Sequence, residues 1–429
     1  MNIAFYTLGC KVNQYETQVV QQQFFENGFE VVEPSNEADI YIINSCTVTA
    51  TGDKKTRQIV HRFKKMNPDA VIVLTGCFPQ AYPKDAEEIE EADIVTGTRD
   101  RNDIFNLVQQ FIVNRKRIVK IVPHEKDEVF EKMCAKGFFE RTRSFVKIQD
   151  GCNRYCSYCI IPTARGPLRS KAIEDIIEEL SILAKEGYKE VVLVGINLSL
   201  YGNEYGLRLI DAIKSACSVD GIERVRLGSI EPELITDDDL KEMASLKEFC
   251  PQFHLSLQSG CTDTLKRMNR HYTADEYAEL VRKIRNAFDN PAITTDIMVG
   301  FPAEDEREFR ESCEFVEKVK LAKCHVFAYS RRPNTRADKM PNQVTKAEKE
   351  RRSRKLIEVC DKVRAEFLKT QVGLNCKVLF ETFDEKLGYF GYSENYTPIY
   401  VKCEKDLCGE IFEVKIVSSA DDYCLGELI

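Results

Sequence analysis

The sequence predicts an α/β protein in three parts: an amino-terminal domain on a parallel sheet, a central partial (β/α)6 barrel, and a small carboxy-terminal antiparallel β-barrel. Three observations carry this expectation. Over roughly the first 115 residues short apolar runs alternate with amphipathic segments, the pattern of strands covered on both faces by helices. From residue 144 onward a strand followed by a helix recurs through six strands, short of the eight that close a full barrel. Beyond residue 370 four short apolar or alternating runs are separated by tight turns, which is the mark of a small β-barrel.

In the first part, 3–8, 40–44, 71–75 and 93–96 read as strands, and 15–27, 54–66, 79–90 and 102–114 as helices. Cys10, Cys46 and Cys77 each follow one of the first three strands, in a Gly-Cys or Ser-Cys turn. Open α/β sheets bind ligands beyond the carboxyl ends of their strands, so three thiols far apart in sequence are expected to meet. Three buried structural cysteines are the alternative, since Cys is among the most buried residue types. Residues 116–143 read as a connector. Its basic start, Arg115-Lys116-Arg117 and Lys120, is expected to be solvated, with a path for a nucleic-acid backbone as the lesser reading.

The second part spans 144–344. Its strands are expected at 145–149, 191–194, 224–227, 253–257, 293–299 and 324–329, and its helices at 173–185, 207–216, 237–249, 274–288 and 306–319. Ile173, Ile176, Ile177, Leu180 and Leu183 share one face of the first helix, and Thr273 with Glu276 forms a capping box ahead of another. The loop after the first strand holds Cys152, Cys156 and Cys159. Thiolates are the usual protein ligands of iron-sulfur clusters, and a cubane takes four, so a group of three leaves one iron open to a substrate or cofactor. Zinc would want a fourth protein ligand nearby, and no His follows at finger spacing. Barrel enzymes place their chemistry at the carboxyl ends of strands. Asn197, Ser229, Glu231, Gln258, Asp296 and Gly300 recur at four such ends as candidate cofactor contacts, although plain loop chemistry explains any one alone.

Residues 345–370 read as a long charged helix, solvated or carrying an RNA-facing basic stripe. The barrel at 371–429 is acidic, with five Lys and no Arg against eleven Asp plus Glu. Broad electrostatic capture of RNA is not expected from it, which leaves stacking by Tyr389, Phe390, Tyr392, Tyr396 or Tyr400, or ordinary packing of those rings. Cys403 and Cys408 are two ligands at most and do not make a metal site. The whole chain carries −8 at neutral pH, so nucleic acid must be met by local patches. Seventeen cysteines, an odd number over 429 residues, argue against a disulfide framework and for a cytoplasmic protein with reduced or metal-bound thiols. No leader is expected at the opening residues, nor any run of the ~18 apolar residues a membrane helix needs.

Gly151-Cys152-Asn153-Arg154-Tyr155-Cys156-Ser157-Tyr158-Cys159 strongly resembles the cluster loop of radical S-adenosylmethionine (SAM) enzymes. Thr7 to Thr17, Asn44-Ser45-Cys46-Thr47-Val48, Thr75-Gly76-Cys77, Pro162 to Gly166, Gly228 to Pro232 and His254 to Cys261 resemble the methylthiotransferase family, in the family's order and over essentially the whole chain. The form Leu8-Gly9-Cys10-Lys11-Val12-Asn13-Gln14 is most similar to the branch acting on threonylcarbamoyladenosine in tRNA. One departure is Ala303, where the family usually has Gly. The resemblance implies a Rossmann-like cluster-binding domain at 1–115, a radical-SAM barrel, a linking helix and a TRAM-like barrel. It implies a 4Fe-4S cluster on Cys152, Cys156 and Cys159 that binds SAM, and a second on Cys10, Cys46 and Cys77 that carries sulfur; Tyr158, beside the last cysteine of the first group, is a candidate to lie against adenine by its position, with ordinary packing as the equal alternative. Two SAM are used per turnover, one as radical source and one as methyl donor. The implied product is a methylthio group at C2 of the adenosine beside the anticodon, with tRNA as substrate, a flavodoxin or ferredoxin as electron donor, and a sulfur donor. The alternatives are isopentenyladenosine or a ribosomal protein as substrate, or a non-catalytic iron-sulfur RNA-binding protein.

Overall fold

The computed structural model describes residues 1–137 and 142–429; four residues of the expected connector, 138–141, lie outside the described residues. The first domain runs β1 (Asn2–Thr7), α1 (Lys11–Glu26), β2 (Glu30–Val32), β3 (Ile40–Ser45), α2 (Ala50–Met66), β4 (Val71–Gly76), α3 (Cys77–Ala81), α4 (Pro83–Glu87), β5 (Ile94–Thr96), α5 (Ile104–Asn114) and β6 (Ile118–Lys120). Its six strands pair in the order β2-β1-β3-β4-β5-β6, all parallel. Successive residues point to opposite cores: Ala4, Tyr41 and Ile43 meet Phe63 of α2, while Ile3, Ile40 and Ile42 meet Phe24 of α1 and Phe111 of α5. Both faces are thus buried, as the unbroken apolar runs require.

Two expectations change here. The helix expected at 79–90 is two short ones, broken where Pro83 opens a new turn. The basic start of the connector is part of the sheet. β6 is its edge strand, Arg117 donates to the carbonyls of Ala92, Glu87 and Ile89, and Lys120 pairs with Asp103 at 2.5 Å.

The central domain runs β7 (Arg143–Lys147), β8 (Gln149–Asp150), α6 (Ile161–Arg165), β9 (Arg169–Ser170), α7 (Ile173–Lys185), β10 (Glu190–Val194), α8 (Leu209–Cys217), β11 (Arg224–Leu227), β12 (Ser229–Ile230), α9 (Asp237–Ser245), β13 (Gln252–Gln258), α10 (Thr262–Arg267), α11 (Ala274–Ala287), β14 (Ala292–Val299), α12 (Glu306–Val319) and β15 (Lys323–Ala328). β7, β10 and β11 form one parallel sheet, and β12 to β15 another. The chain passes from β11 to β12 through Gly228, so six strand positions make an open half-barrel. Val191, Leu193, Leu255 and Ile297 point outward to Ile176, Leu180 and Leu183 of α7 and their counterparts on the other helices. Ile177, expected on that buried face, is 38% exposed.

The open side is filled by the first domain. Val12 and Tyr15 of α1 pack on Phe145, Val192 and Val194, the inward residues of β7 and β10. The Tyr15 hydroxyl donates to Glu179 of α7 at 2.9 Å. α13 (Lys346–Gln371) then leads to a closed five-stranded barrel of β16 (Asn375–Asp384), β17 (Gly388–Ser393), β18 (Pro398–Val401), β19 (Ile411–Ser419) and β20 (Cys424–Leu428). Two of its aromatic residues dock on the half-barrel. Tyr392 and Tyr396 stack on each other at 4.1 Å, and Arg143 and Arg226 of the half-barrel lie over the Tyr396 ring. Some of the basic residues of α13 are paired as well: Arg352 with Glu304 and Glu348, Arg351 with Glu306 and Glu348, Arg364 with Asp422.

Candidate active site

Neighbouring strands β1, β3 and β4 bring Cys10, Cys46 and Cys77 to one sheet edge. Cys10 caps α1 and Cys77 opens α3. Gly9 has φ of 108°, and a Cβ there would stand 2.8 Å from Cys46 Cβ, so glycine alone lets the β1 turn lie against the Cys46 loop. Asn13 ties the loops by donating to the carbonyls of Leu8 (2.8 Å) and Ser45 (3.1 Å). Cys77 is buried, Cys46 half-buried and Cys10 exposed, so the group opens at Cys10. Burial pushes the Cys46 thiol up to about 12, and the adjacent Cys77 and Cys10 sulfurs push the same way. These are thiols poised for a cation that would take their protons' place.

The loop of Cys152, Cys156 and Cys159 lies between β8 and α6. Gly151 has φ of 73°, with the Pro167 carbonyl where a side chain would be. Each sulfur has a donor aimed at it: Asn197 Nδ2 on Cys152 at 3.6 Å, Arg270 Nη1 on Cys156 at 3.3 Å, and the Ile161 N–H on Cys159 at 3.4 Å. Donors of this kind orient and stabilise thiolate ligands. Arg270 is itself held by the Glu231 carboxylate and lies over the Tyr272 ring.

The two thiol groups are joined through α6. Five residues of helix span about 7.5 Å, and they lead from Cys159 to Arg165, whose Nε is 3.2 Å from Cys77 Sγ. Arg165 is fully buried and also binds Asn13 and Glu16 of α1. Glu16 in turn receives Arg101 at 2.8 Å and Lys147 at 2.7 Å, while Lys147 and Arg169 reach Asp150 at 2.6 and 3.4 Å. Burial alone would raise the Glu16 carboxyl, but Arg101, Arg165 and Lys147 overcome it and hold the group at about 2. Asp150 is likewise held well below the usual carboxylate range, against burial, first by Lys147 and then by Arg165 and Arg169. This interdomain charge cluster was not singled out from the sequence. Glu16 and Arg165 sit inside the motifs Thr7 to Thr17 and Pro162 to Gly166, but nothing local signals their pairing with each other or with Arg101, Lys147, Asp150 and Arg169.

The expected cofactor contacts scatter in role. Asn197 is buried, its Oδ1 has no partner, and its other end faces Cys152. Gln258 sits at a register shift of β13 with φ of 68°, a conformation that stores strain and clusters at ligand sites. Tyr158 packs edge-on against Phe301 at 6.4 Å beside Met268. Ser229 is exposed, Glu231 is taken up by Arg270, and Gly300 packs beneath Lys349 with φ of 69°. Asp296 faces the half-barrel's lumen, 3.4 Å from His254 Nε2, with His325 on the adjoining strand. Lys11, the residue after Cys10, enters the same lumen: burial draws its ammonium down to about 8, helped by Arg143 and Arg226 and opposed by Asp296 and Glu190.

A family model described as the radical SAM superfamily matches residues 146–316, and one described as uncharacterized protein family UPF0004 matches residues 2–97. The chain is 38% identical to a threonylcarbamoyladenosine tRNA methylthiotransferase of Bacillus subtilis, over 100% of this chain and 96% of that protein. It is 38% identical to the Thermotoga maritima protein of the same name, over 97% of this chain and 94% of that one. A tRNA-2-methylthio-N(6)-dimethylallyladenosine synthase of Caldicellulosiruptor saccharolyticus is 31% identical over 99% and 91%. Among solved structures, a radical SAM methyltransferase from Kitasatospora setae with cobalamin and a 4Fe-4S cluster shares the fold, with a TM-score of 0.57, 14% identity, and coverage of 79% of this chain and 77% of that one.

Proposed function

Because the chain belongs to the tRNA methylthiotransferase family of radical SAM proteins, we propose that Cys152, Cys156 and Cys159 hold one 4Fe-4S cluster and Cys10, Cys46 and Cys77 a second. The protein is a SAM-dependent enzyme that inserts sulfur and a methyl group at C2 of threonylcarbamoyladenosine in tRNA. The observation that carries the ligand assignment is Arg165: one buried guanidinium ties the helix leaving Cys159 to the Cys77 sulfur. Two thiol groups on different domains are thereby fastened to one another.

The donor set fits the clusters. Each group offers three free thiols, and the Cys152 group has a donor for every sulfur. When bound, the first cluster with SAM supplies a radical strong enough to take hydrogen from an unactivated C–H, and the second supplies sulfur. The protein's own residues position and enclose. Arg270, held by Glu231, fixes Cys156. Tyr158, Phe301 and Met268 make an apolar wall beside the loop that keeps water away. The open Asn197 Oδ1 and the strained Gln258 are the SAM contacts best supported by geometry, with Tyr158, Ser229 and Asp296 around them. Glu231 and Gly300 act indirectly, through Arg270 and through close packing.

A flavodoxin or ferredoxin delivers the electron, and a separate donor renews the sulfur. Among the described residues no helix is long and apolar enough to cross a membrane. A cytoplasmic location is supported by seventeen unpaired thiols, which suit a reducing compartment. The test is mass spectrometry of nucleosides after anaerobic incubation of reconstituted enzyme with SAM, sulfide, reductant and two tRNA pools. One pool carries threonylcarbamoyladenosine and the other isopentenyladenosine. A methylthio gain on the first alone is expected; a gain on the second alone overturns the substrate, and SAM cleavage with no gain on either redirects the search to a protein substrate.

A further inference from the structure

The lumen of the half-barrel holds a lysine, Lys11, with no opposite charge paired to it among the described residues. α1 lies on the inner face of β7 and β10 through Val12 and Tyr15, and Lys11, at its first turn, is crowded by protein, with Arg143, Arg226, Asp296 and Glu190 acting on its charge, yet remains open to solvent. Its ammonium has no ion-pair partner within 4.0 Å among the described residues, whereas Arg226, Arg143 and Asp296 are engaged. Arg226 is paired with Glu190, Arg143 with Glu381 and Glu190, and Asp296 with His254. Lys11 also adjoins Cys10, the exposed end of its thiol group. An ammonium with no anionic partner beside a reacting centre is free to take a charge-assisted hydrogen bond when an anion arrives.

The two nucleosides in the relatives' names differ in this respect. The threonylcarbamoyl group ends in a carboxylate and carries a hydroxyl and urea N–H groups; the dimethylallyl group is a hydrocarbon. We propose that Lys11 is a specificity-determining residue whose ammonium pairs with the threonyl carboxylate of the substrate, an assignment that rests on the substrate reading above. The same residue selects twice. It attracts the acid, and it penalises the hydrocarbon, which would seal the charge away from water without a partner. His254, Asp296 and His325, on three adjacent strands with ligand atoms within 4.8 Å of one another, complete the polar wall as partners for the hydroxyl and urea groups. A divalent cation on that triad is disfavoured by Lys11 and Lys323, whose charges act on Asp296 and His325 respectively.

The experiment uses the full enzyme and two anticodon stem-loop RNAs, one with threonylcarbamoyladenosine and one with its methyl ester, which keeps the shape and removes the charge. Binding is measured without SAM, and methylthio formation under turnover. Wild type is expected to favour the acid by about 10- to 100-fold, the span of one charge-assisted hydrogen bond. In Lys11→Met that preference collapses to near unity because the acid loses affinity and the ester does not; Lys11→Arg restores much of it. Iron and sulfide content, equal to wild type, shows that the neighbouring thiol group is intact. If Lys11→Met lowers acid and ester alike, or keeps the acid preference, the pairing is wrong. If wild type turns over neither RNA, it is the substrate reading that fails, and the binding arm still judges Lys11.

Discussion

Replacing Glu16 by Gln probes the charge cluster that joins the first two domains. The substitution keeps shape and removes one charge from the point where Arg101, Lys147 and Arg165 meet. Holding a fully buried carboxyl at about 2 instead of the ordinary 4.5 corresponds to about 3 kcal/mol of stability at neutral pH, at about 1.4 kcal/mol per tenfold change in acidity. Breaking a buried ion pair from one side costs about 3–5 kcal/mol by independent experience, so the two magnitudes agree. For a cooperative unit of roughly 150–250 residues this lowers Tm by about 6–12 °C. The pH dependence has a definite sign. The folded-state value lies below the unfolded one, so the contribution is complete above about pH 4.5 and is lost as pH falls toward 2. Thermal melts of cluster-free wild type and Glu16→Gln, followed by circular dichroism from pH 7 downward, should show a wide gap that closes below pH 4.5. A gap under about 2 °C at pH 7, or one unchanged at pH 3, would refute the reasoning.

Cys156→Ala should abolish SAM cleavage, whereas Cys46→Ala should still release 5′-deoxyadenosine and lose sulfur insertion; methylthio product from Cys46→Ala would overturn the division of labour. Ala303 has φ of 62° on an exposed turn, so Ala303→Gly relieves left-handed strain and should stabilise by about 0.5–1 kcal/mol, read as a small rise in Tm. Tyr396→Ala removes a stacked ring and two cation–π contacts at 4.8 and 5.0 Å, worth about 2–3 kcal/mol together. The carboxy-terminal barrel should then loosen, and limited proteolysis near residues 372–374 should accelerate; an unchanged cleavage rate counts against that docking.

Periodicity made most of the fold legible. The helices expected at 173–185 and 306–319 and the strand at 224–227 have those bounds in the structure. What escaped is short or at an edge. β2 has three residues, too few for alternation to register. β6 lies in a basic run, and edge strands are where basic residues are tolerated, so the charge that suggested a solvated linker is equally the mark of an edge. The helix expected at 237–249 ends at Ser245, while Phe249 turns inward to pack on Phe253 and Phe288.

The thiols could be read because ligand chemistry writes itself into local spacing, and because the turn after each strand of a parallel sheet lies on one edge. The charge cluster could not, since Arg165 and Glu16 stand 149 residues apart and meet only once α1 fills the half-barrel. The same limit applies at the two stretches for which RNA contact is the lesser reading. A sequence shows where charges and rings are, not what they face. Arg351 and Arg352 of α13 are turned on Glu304, Glu306 and Glu348, and Tyr392 and Tyr396 on Arg143 and Arg226. These groups make contacts between elements that no local stretch of sequence shows. The acidic barrel then adds no broad attraction of its own. On the proposal above, selection of the nucleoside falls instead to the lumen that holds Asp296 and the unpaired Lys11.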